Sequence, residues 1–312
     1  MIKIFKWVTK DTTIDFMKAR KFTYALSLVL VILSVASITL KGLNYGIDFS
    51  GGILMELKSN NKIDVEELRK RLSNVNLDEM NLQSIGEAGD EVVLRAQAKN
   101  LDEKQQMAVI NQIKTELAGE YEYRRIELVG PQVGGELKKA GVIASLIAVL
   151  AISAYIWFRF EWQFAVGALI GLFHDLIVTV GLLSLLGFDF SLTTVAAILT
   201  LAGYSVNDTV VTYDRIRENL RKFKKMSQYD LLNKSINDIF SRTILTGLTT
   251  LFASLALLIW GGDTLRSFSF TIFWGVIVGT YSSIYVSAVF LNLFDLRSAQ
   301  DEKVLNPFGN VE

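Results

Sequence analysis

The apolar residues of this chain fall in long blocks rather than alternating with polar ones. A membrane span needs about 20 mostly apolar residues. Six blocks meet that length: 22–40, 141–158, 164–186, 192–211, 244–260 and 268–294. The first outlasts the apolar core of a signal peptide, about 7–15 residues, and follows a long basic segment, so it reads as a retained span.

Between the first two blocks the pattern shortens. Residues 53–58 read as a strand, and 65–72 as a helix with Asp64 at its N-cap. Residues 81–85 and 91–96 read as strands parted by Gly86 and by Gly89-Asp90, a hairpin turn. Residues 101–117 have amphipathic helical spacing and 121–128 read as a last strand. The order βαββαβ is ferredoxin-like. The expected fold is therefore an α-helical membrane protein with six transmembrane helices and a ferredoxin-like α+β domain between helices one and two.

Charge then orients the spans, because Lys and Arg near span ends favour the cytoplasm. Lys3, Lys6, Lys10, Lys18, Arg20 and Lys21 precede the first span. Arg215, Arg217, Arg221, Lys222, Lys224, Lys225 and Lys234 lie between the fourth and fifth, whereas the short loops of the opposite side carry only Arg266. The expected layout is a cytoplasmic segment 1–21, a span 22–40, an extracytoplasmic domain 41–139, a five-helix membrane region 140–296 with a cytoplasmic loop 212–243, and a cytoplasmic tail 297–312. Within that loop, the apolar spacing of 229–240 suits a helix lying on the inner membrane surface.

Composition narrows the chemistry. Of 312 residues 51% are hydrophobic, which matches a membrane protein, and the formal net charge of zero implies no nucleic-acid partner. There is no cysteine and a single histidine, His174, so disulfides, thiolate nucleophiles and a His-rich metal site are excluded. The chain has no G-x-x-x-x-G-K-[ST] phosphate loop, nucleophile elbow or H-E-x-x-H helix. No cofactor is expected, nor an enzyme. The energy source left is an ion gradient, worth about 2.3 kcal/mol per charge and 100 mV.

The residues that fit such a source are polar groups inside the spans. Gly167, Gly171, Asp175 and Thr179 recur every fourth residue and share a face. Thr193, Ala197, Thr200, Tyr204 and Asp208 form another, flanked by Ser205 and Asn207. Arg242 opens the fifth span, followed by Thr246, Thr249, Thr250 and Ala253, and the sixth adds Gly275, Gly279, Ser282 and Ser283. Charges at membrane depth are costly and mark pairs or ion paths. Asp208 and Arg242 lie at one level on antiparallel neighbours and are expected to pair, and Asp175, a carboxyl on a face of small residues, needs a partner or water of its own. A static ion pair and a snorkelling Arg242 are structural alternatives. His174, next to Asp175 on a helix, projects about 100° away and need not cooperate with it; a lone histidine in a span is more often a hydrogen-bonded packing residue than a ligand.

Several runs also carry a resemblance. They are Ile14-Asp15-Phe16-Met17-Lys18, Gly46-Ile47-Asp48-Phe49-Ser50-Gly51-Gly52, Val129-Gly130-Pro131-Gln132-Val133-Gly134-Gly135-Glu136-Leu137, Gly203-Tyr204-Ser205-Val206-Asn207-Asp208-Thr209-Val210-Val211, Asp214-Arg215-Ile216-Arg217-Glu218-Asn219 and Ser241-Arg242-Thr243. In this order they resemble the SecF family of the bacterial Sec translocase, within the resistance–nodulation–division superfamily. The resemblance implies a subunit of the bacterial cytoplasmic membrane that works with SecD and the SecYEG translocon. It would use the proton-motive force to promote export of polypeptide. It also implies proton conduction through the residues matching Asp208 and Arg242, with Asp175 as a supporting carboxyl; the spacing of Thr200, Tyr204, Ser205, Asn207 and Thr246 makes them the supporting polar face. The expected partners are SecD, SecYEG, exported polypeptide, membrane lipid and protons. A related exporter half moving lipid or small molecules, and a structural scaffold, are the alternative functions.

Overall fold

The structure is a computed structural model that describes residues 12–75, 79–85, 89–97, 103–117 and 119–297. The expected hairpin residue Gly86, the helix start at Leu101, the basic residues Lys3, Lys6 and Lys10 and most of the tail 297–312 lie outside the described residues.

Among the described residues, six helices are long and apolar enough to cross a membrane. The first is α1 (Arg20–Leu40). A two-stranded parallel pair joins β1 (Asn44–Tyr45) to a strand met much later in the chain. The main sheet begins with β2 (Gly52–Lys58), followed by α2 (Val65–Arg71), β3 (Glu79–Ile85), β4 (Glu91–Gln97), α3 (Glu103–Glu116) and β5 (Glu122–Val129). Long helices α4 (Pro131–Arg159) and α5 (Trp162–Leu186) come next, and β6 (Asp189–Phe190) is the partner of β1. Then follow α6 (Leu192–Lys222), α7 (Gln228–Trp260) and α8 (Gly262–Ser282), which runs on into a π-helical segment, Ser283–Ala288.

The chain divides into two compact units. The unit of 44–145 and 189–195 contains the sheet, in the order β3-β4-β2-β5, antiparallel throughout. This is the βαββαβ arrangement expected of a ferredoxin-like domain. Ile53, Met55 and Leu57 alternate along β2 and point to one face, where Leu94 of β4, Leu68 of α2 and Ile113 of α3 are also buried. Asp64 caps α2 as its position suggests, its Oδ1 accepting from the N–H groups of Glu66 and Glu67. The two glycine motifs meet backbone to backbone in this unit. A Cβ on Gly134 would stand 2.9 Å from the Gly51 nitrogen, and Gly51 itself has φ +70°. Asp48 of the first motif accepts from the N–H of Leu192 at 2.9 Å and so caps α6. The Arg95 guanidinium grips the Asp189 carboxylate, which also takes the Asn44 amide.

The second unit holds 1–43, 146–188 and 196–312. Here α5 packs against α1 and α8, and α8 against α7. Residues 212–243, expected as a loop, are helical apart from 223–227. The amphipathic stretch 229–240 is the start of the 33-residue α7, with no break at Arg242. The reason is local: Ser227 caps the helix by accepting from Asp230 N–H, and no Gly or Pro interrupts the sequence before Gly247. Polar side chains on these first turns tie down both ends of the described chain. Asn237 accepts from Ile14 N–H and donates to Ile14 O, while Asn233 accepts from Phe16 N–H. Gln228 donates to the carbonyls of Leu291 and Phe294 and accepts from Leu296 N–H.

Candidate functional site

Asp208 sits on α6 and is only 8% exposed. A carboxylate has only acceptors, so it needs donors from neighbouring helices. Thr243 of α7 donates to its Oδ1 at 3.0 Å, and Ser283 donates to its Oδ2 at 2.6 Å. Ser205, three residues earlier, faces the same side of α6 and is buried too. Ser205 and Ser282 both donate to Oδ2 of Asp175 on α5, whose Oδ1 meets His174 Nδ1 at 3.0 Å. Asp175 has no exposed surface. Two acids from different helices are thus held by hydroxyls within one buried cluster.

Small residues make this approach possible. A Cβ on Gly279 would stand 3.3 Å from Ser205 Cβ and 3.6 Å from Asp175 Oδ2, so the glycine lets α8 close on both. A Cβ on Gly171 would lie 2.1 Å from Ser287 Oγ.

The sequence-expected residues separate into two groups. Asp208, Asp175 and Ser205 come together in the buried cluster. Tyr204 is half-buried, its hydroxyl beside Thr250 and Thr280. Thr200, Asn207, Arg242 and Thr246 are exposed. Thr200 donates to Ala196 O and Thr246 to Arg242 O, each at 2.8 Å, as hydroxyls do when no other helix offers an acceptor. The expected Asp208–Arg242 pair is not formed: among the described residues no ion pair within 4 Å includes Arg242. The neighbouring Thr243 takes that place, because adjacent residues on a helix project about 100° apart. His174 is a hydrogen-bonded packing residue: its ring folds back along α5 to bond Asp175, and its buried Nε2 has no hydrogen-bond partner among the described residues.

The exposed polar residues themselves form a pattern. Thr193, Ala196, Thr200, Gly203 and Asn207 follow at intervals of three and four along α6, and all five are exposed. On α7, Arg242, Thr246 and Thr249 are exposed as well. Sequence reasoning assigned one polar face to α6, but the helix has two, one turned inward and one outward. No group of three or more His, Asp or Glu side chains among the described residues could hold a metal ion. Sequence reasoning missed the acceptor role of Asp48 at the start of α6 and the role of Thr243. Each lay inside a motif, which was the available signal.

Comparison with known proteins accounts for this arrangement. Residues 109–297 match the family described as "Protein export membrane protein SecD/SecF, C-terminal", and residues 36–62 match the "SecD/SecF GG Motif". The protein translocase subunit SecF of Rickettsia felis is 46% identical over 287 residues, which cover 91% of this chain and 92% of that protein. SecF of Rickettsia rickettsii is 46% identical over 284 residues, covering 90% and 91%. A crystal structure of SecDF, a translocon-associated membrane protein, from Thermus thermophilus superposes with a TM-score of 0.81 at 36% identity over 91% of this chain. A second SecDF crystal structure, in a super-membrane-facing form, gives 0.67 at 36% over 95%. This chain spans only 39% and 40% of the length of those SecDF chains. The six apolar helices and the sheet domain between the first two fall within the 91% of this chain that superposes on the SecDF structure. The chain belongs to the SecD/SecF family of protein-export membrane proteins, as a protein-translocase subunit of the SecF type and not an enzyme.

Proposed function

We propose that this subunit pairs with a SecD-type chain beside a SecYEG-type channel and uses the proton-motive force to promote export of polypeptide across the bacterial cytoplasmic membrane. In this reading both termini are cytoplasmic and 41–139 is the extracytoplasmic domain that handles the emerging chain. Asp208 takes up and releases the proton, Asp175 supports it from α5, and Arg242 faces the path from α7. The observation that carries the reading is the placement of Asp208. A carboxyl at membrane depth, 8% exposed and hydrogen-bonded among the described residues by hydroxyls of two other helices, can exist with or without its proton. An ion pair with Arg242 would have bound it to one charge state.

The exposed stripe Thr193, Ala196, Thr200, Gly203 and Asn207, with Arg242 and Thr246 beside it, supports the partnership. Small and polar residues facing lipid are unfavourable, and small side chains let helices approach closely. A SecD-type helix packed there would cover the stripe and bring its own polar groups to the guanidinium of Arg242. The same partner would supply much of the length by which the SecDF chains exceed this one.

The test is translocation in membranes containing the partner and the channel, with and without a protonophore. Asp208→Asn is expected to abolish the protonophore-sensitive part while insertion and partner binding persist. Full proton-dependent export by a stably inserted, partnered Asp208→Asn variant would overturn the proposal.

A further inference from the structure

Ser282 and Ser283 are adjacent residues at the point where α8 changes from α-helical to π-helical pitch. Neither has exposed surface. Their hydroxyls reach different acids on different helices: Ser282 donates to Asp175 Oδ2 and Ser283 to Asp208 Oδ2, each at 2.6 Å. Each hydroxyl also has a second acceptor within reach. For Ser282 it is the Gly279 carbonyl at 3.2 Å, and for Ser283 the Thr280 carbonyl at 3.1 Å. A hydroxyl has one hydrogen, so it serves one of the two acceptors fully at a time.

The charge of the acid decides which. A carboxylate is acceptor-only and attracts the serine hydrogen. When a proton binds Oδ2, the acid becomes a donor itself. The serine oxygen then accepts from it and turns its own hydrogen to the carbonyl three residues back. One O–H bond forms, between the incoming proton and Oδ2; the serine O–H only reorients, all other changes are in hydrogen bonds, and the proton count rises by one. The carbonyl that receives the hydroxyl is not idle. Gly279 O already accepts the backbone N–H of Ser283 at the end of α8. A hydroxyl competing for that oxygen weakens the α-helical bond, and serine bonding to its own helix in this way bends helices. π-helical turns of this kind recur at functional sites.

We propose that Ser282 and Ser283 are paired positioning residues. Each hydroxyl switches between its acid and its own helix, so that the proton state of Asp175 and Asp208 sets the pitch of α8 at the α-to-π junction. Two buried hydroxyl oxygens without hydrogen-bond partners among the described residues lie one turn away on the same packed faces, Thr179 Oγ1 beyond Asp175 and Ser287 Oγ beyond Ser283, so unused bonding capacity borders both acids. The titratable and charged groups facing the pair are His174 beside Asp175, and Tyr204 and Arg242 on the Asp208 side. The proposal rests on Asp208 being the proton carrier.

The experiment uses the full chain with its partner in membranes and compares Ser283→Ala, Ser283→Thr, Ser282→Ala and Ser282→Thr. Infrared difference spectra between alkaline and acid pH read the carbonyl stretch of the protonated acids directly. Proton-dependent translocation across pH reads the consequence. Each alanine variant is expected to move the acid's carbonyl band and to displace the pH of half-maximal activity by about one unit or more, since a hydrogen bond to a charged group is lost. Threonine, which keeps the hydroxyl, is expected to restore both. Alanine variants with the wild-type band and pH profile would overturn the proposal. So would threonine variants no closer to wild type than alanine, because the serines would then serve packing alone. The infrared arm does not depend on transport. A moved band together with full activity of Asp208→Asn would refute the proton-carrier reading while leaving the serine contacts intact.

Discussion

A close helix contact in the membrane unit lies between α1 and α5, and it can be tested with one methyl group. A Cβ on Gly181 would stand 2.2 Å from Ser34 Cβ and 2.5 Å from Ser34 Cα. Carbon atoms normally rest about 3.5–4.0 Å apart. The shortfall exceeds 1 Å and involves a backbone atom, so a rotamer change cannot relieve it and α1 must move off α5. Overpacking of this kind costs about 1–3 kcal/mol. The shift also pulls on Ser37 Oγ–Ser184 Oγ at 3.1 Å and Ser184 Oγ–Gly42 O at 2.6 Å. Those bonds are worth about 0.5–1.5 kcal/mol each. Replacing glycine by alanine inside a helix returns about 1 kcal/mol. Gly181→Ala should therefore destabilise the chain by roughly 2–4 kcal/mol.

Gly203→Ala is the matched control, because nothing lies within 4 Å of a Cβ there. On the chain alone it should leave stability unchanged or raise it by up to about 1 kcal/mol. With the partner present it should weaken association, since Gly203 belongs to the outward stripe of α6. The assay is reversible unfolding of the full chain in mixed micelles, followed by the fluorescence of its five tryptophans. Equal stability of Gly181→Ala and Gly203→Ala would refute the close α1–α5 contact.

Two further outcomes concern the sheet unit. Asp64→Ala removes the acceptor for two backbone N–H groups of α2 and should cost about 1 kcal/mol locally, read as faster amide exchange at Glu66 and Glu67; unchanged exchange would contradict the cap. Hydrogen bonding from Arg71 holds the Glu120 carboxyl below its ordinary value of 4.5, with Arg71 Nη1 and Glu120 Oε2 2.6 Å apart. A carboxyl depressed in the folded state stabilises above its unfolded value and loses that contribution as pH falls through its folded value. The contact should thus persist at neutral pH and open only in acid below 4.5, and Arg71→Gln should return the Glu120 titration, followed by carboxyl carbon NMR, to its ordinary value.

Much was legible in the chain itself because bilayer and sheet impose strong periodicities. Twenty-residue apolar runs leave a backbone little choice but helix, since lipid offers no partner for its N–H and C=O groups. Strands, helices and turn glycines of the sheet domain appear in the order that the β3-β4-β2-β5 sheet requires. Asp64 announced its own cap because capping is a matter of neighbours in sequence. The family motifs were equally local.

Direction around a helix axis was another matter. Asp208 and Arg242 share a level, yet Thr243, one residue on, is the group that turns toward the acid. Sequence position leaves open whether His174 meets Asp175, and its rotamer brings the ring back to the acid. The first turns of α7 have the spacing of a surface helix. The Ser227 cap and the lack of Gly or Pro before Gly247 carry them straight into a span, and contacts with 12–17 and 291–297 give their polar side chains partners. Apolar periodicity records how much of a helix faces away from water. It does not record which of two buried or lipid-exposed sides a polar group takes, because each is apolar by composition. Tertiary structure decided that α6 has an inward acid face and an outward face of small residues, and that two serines at the end of α8 lie between Asp175 and Asp208.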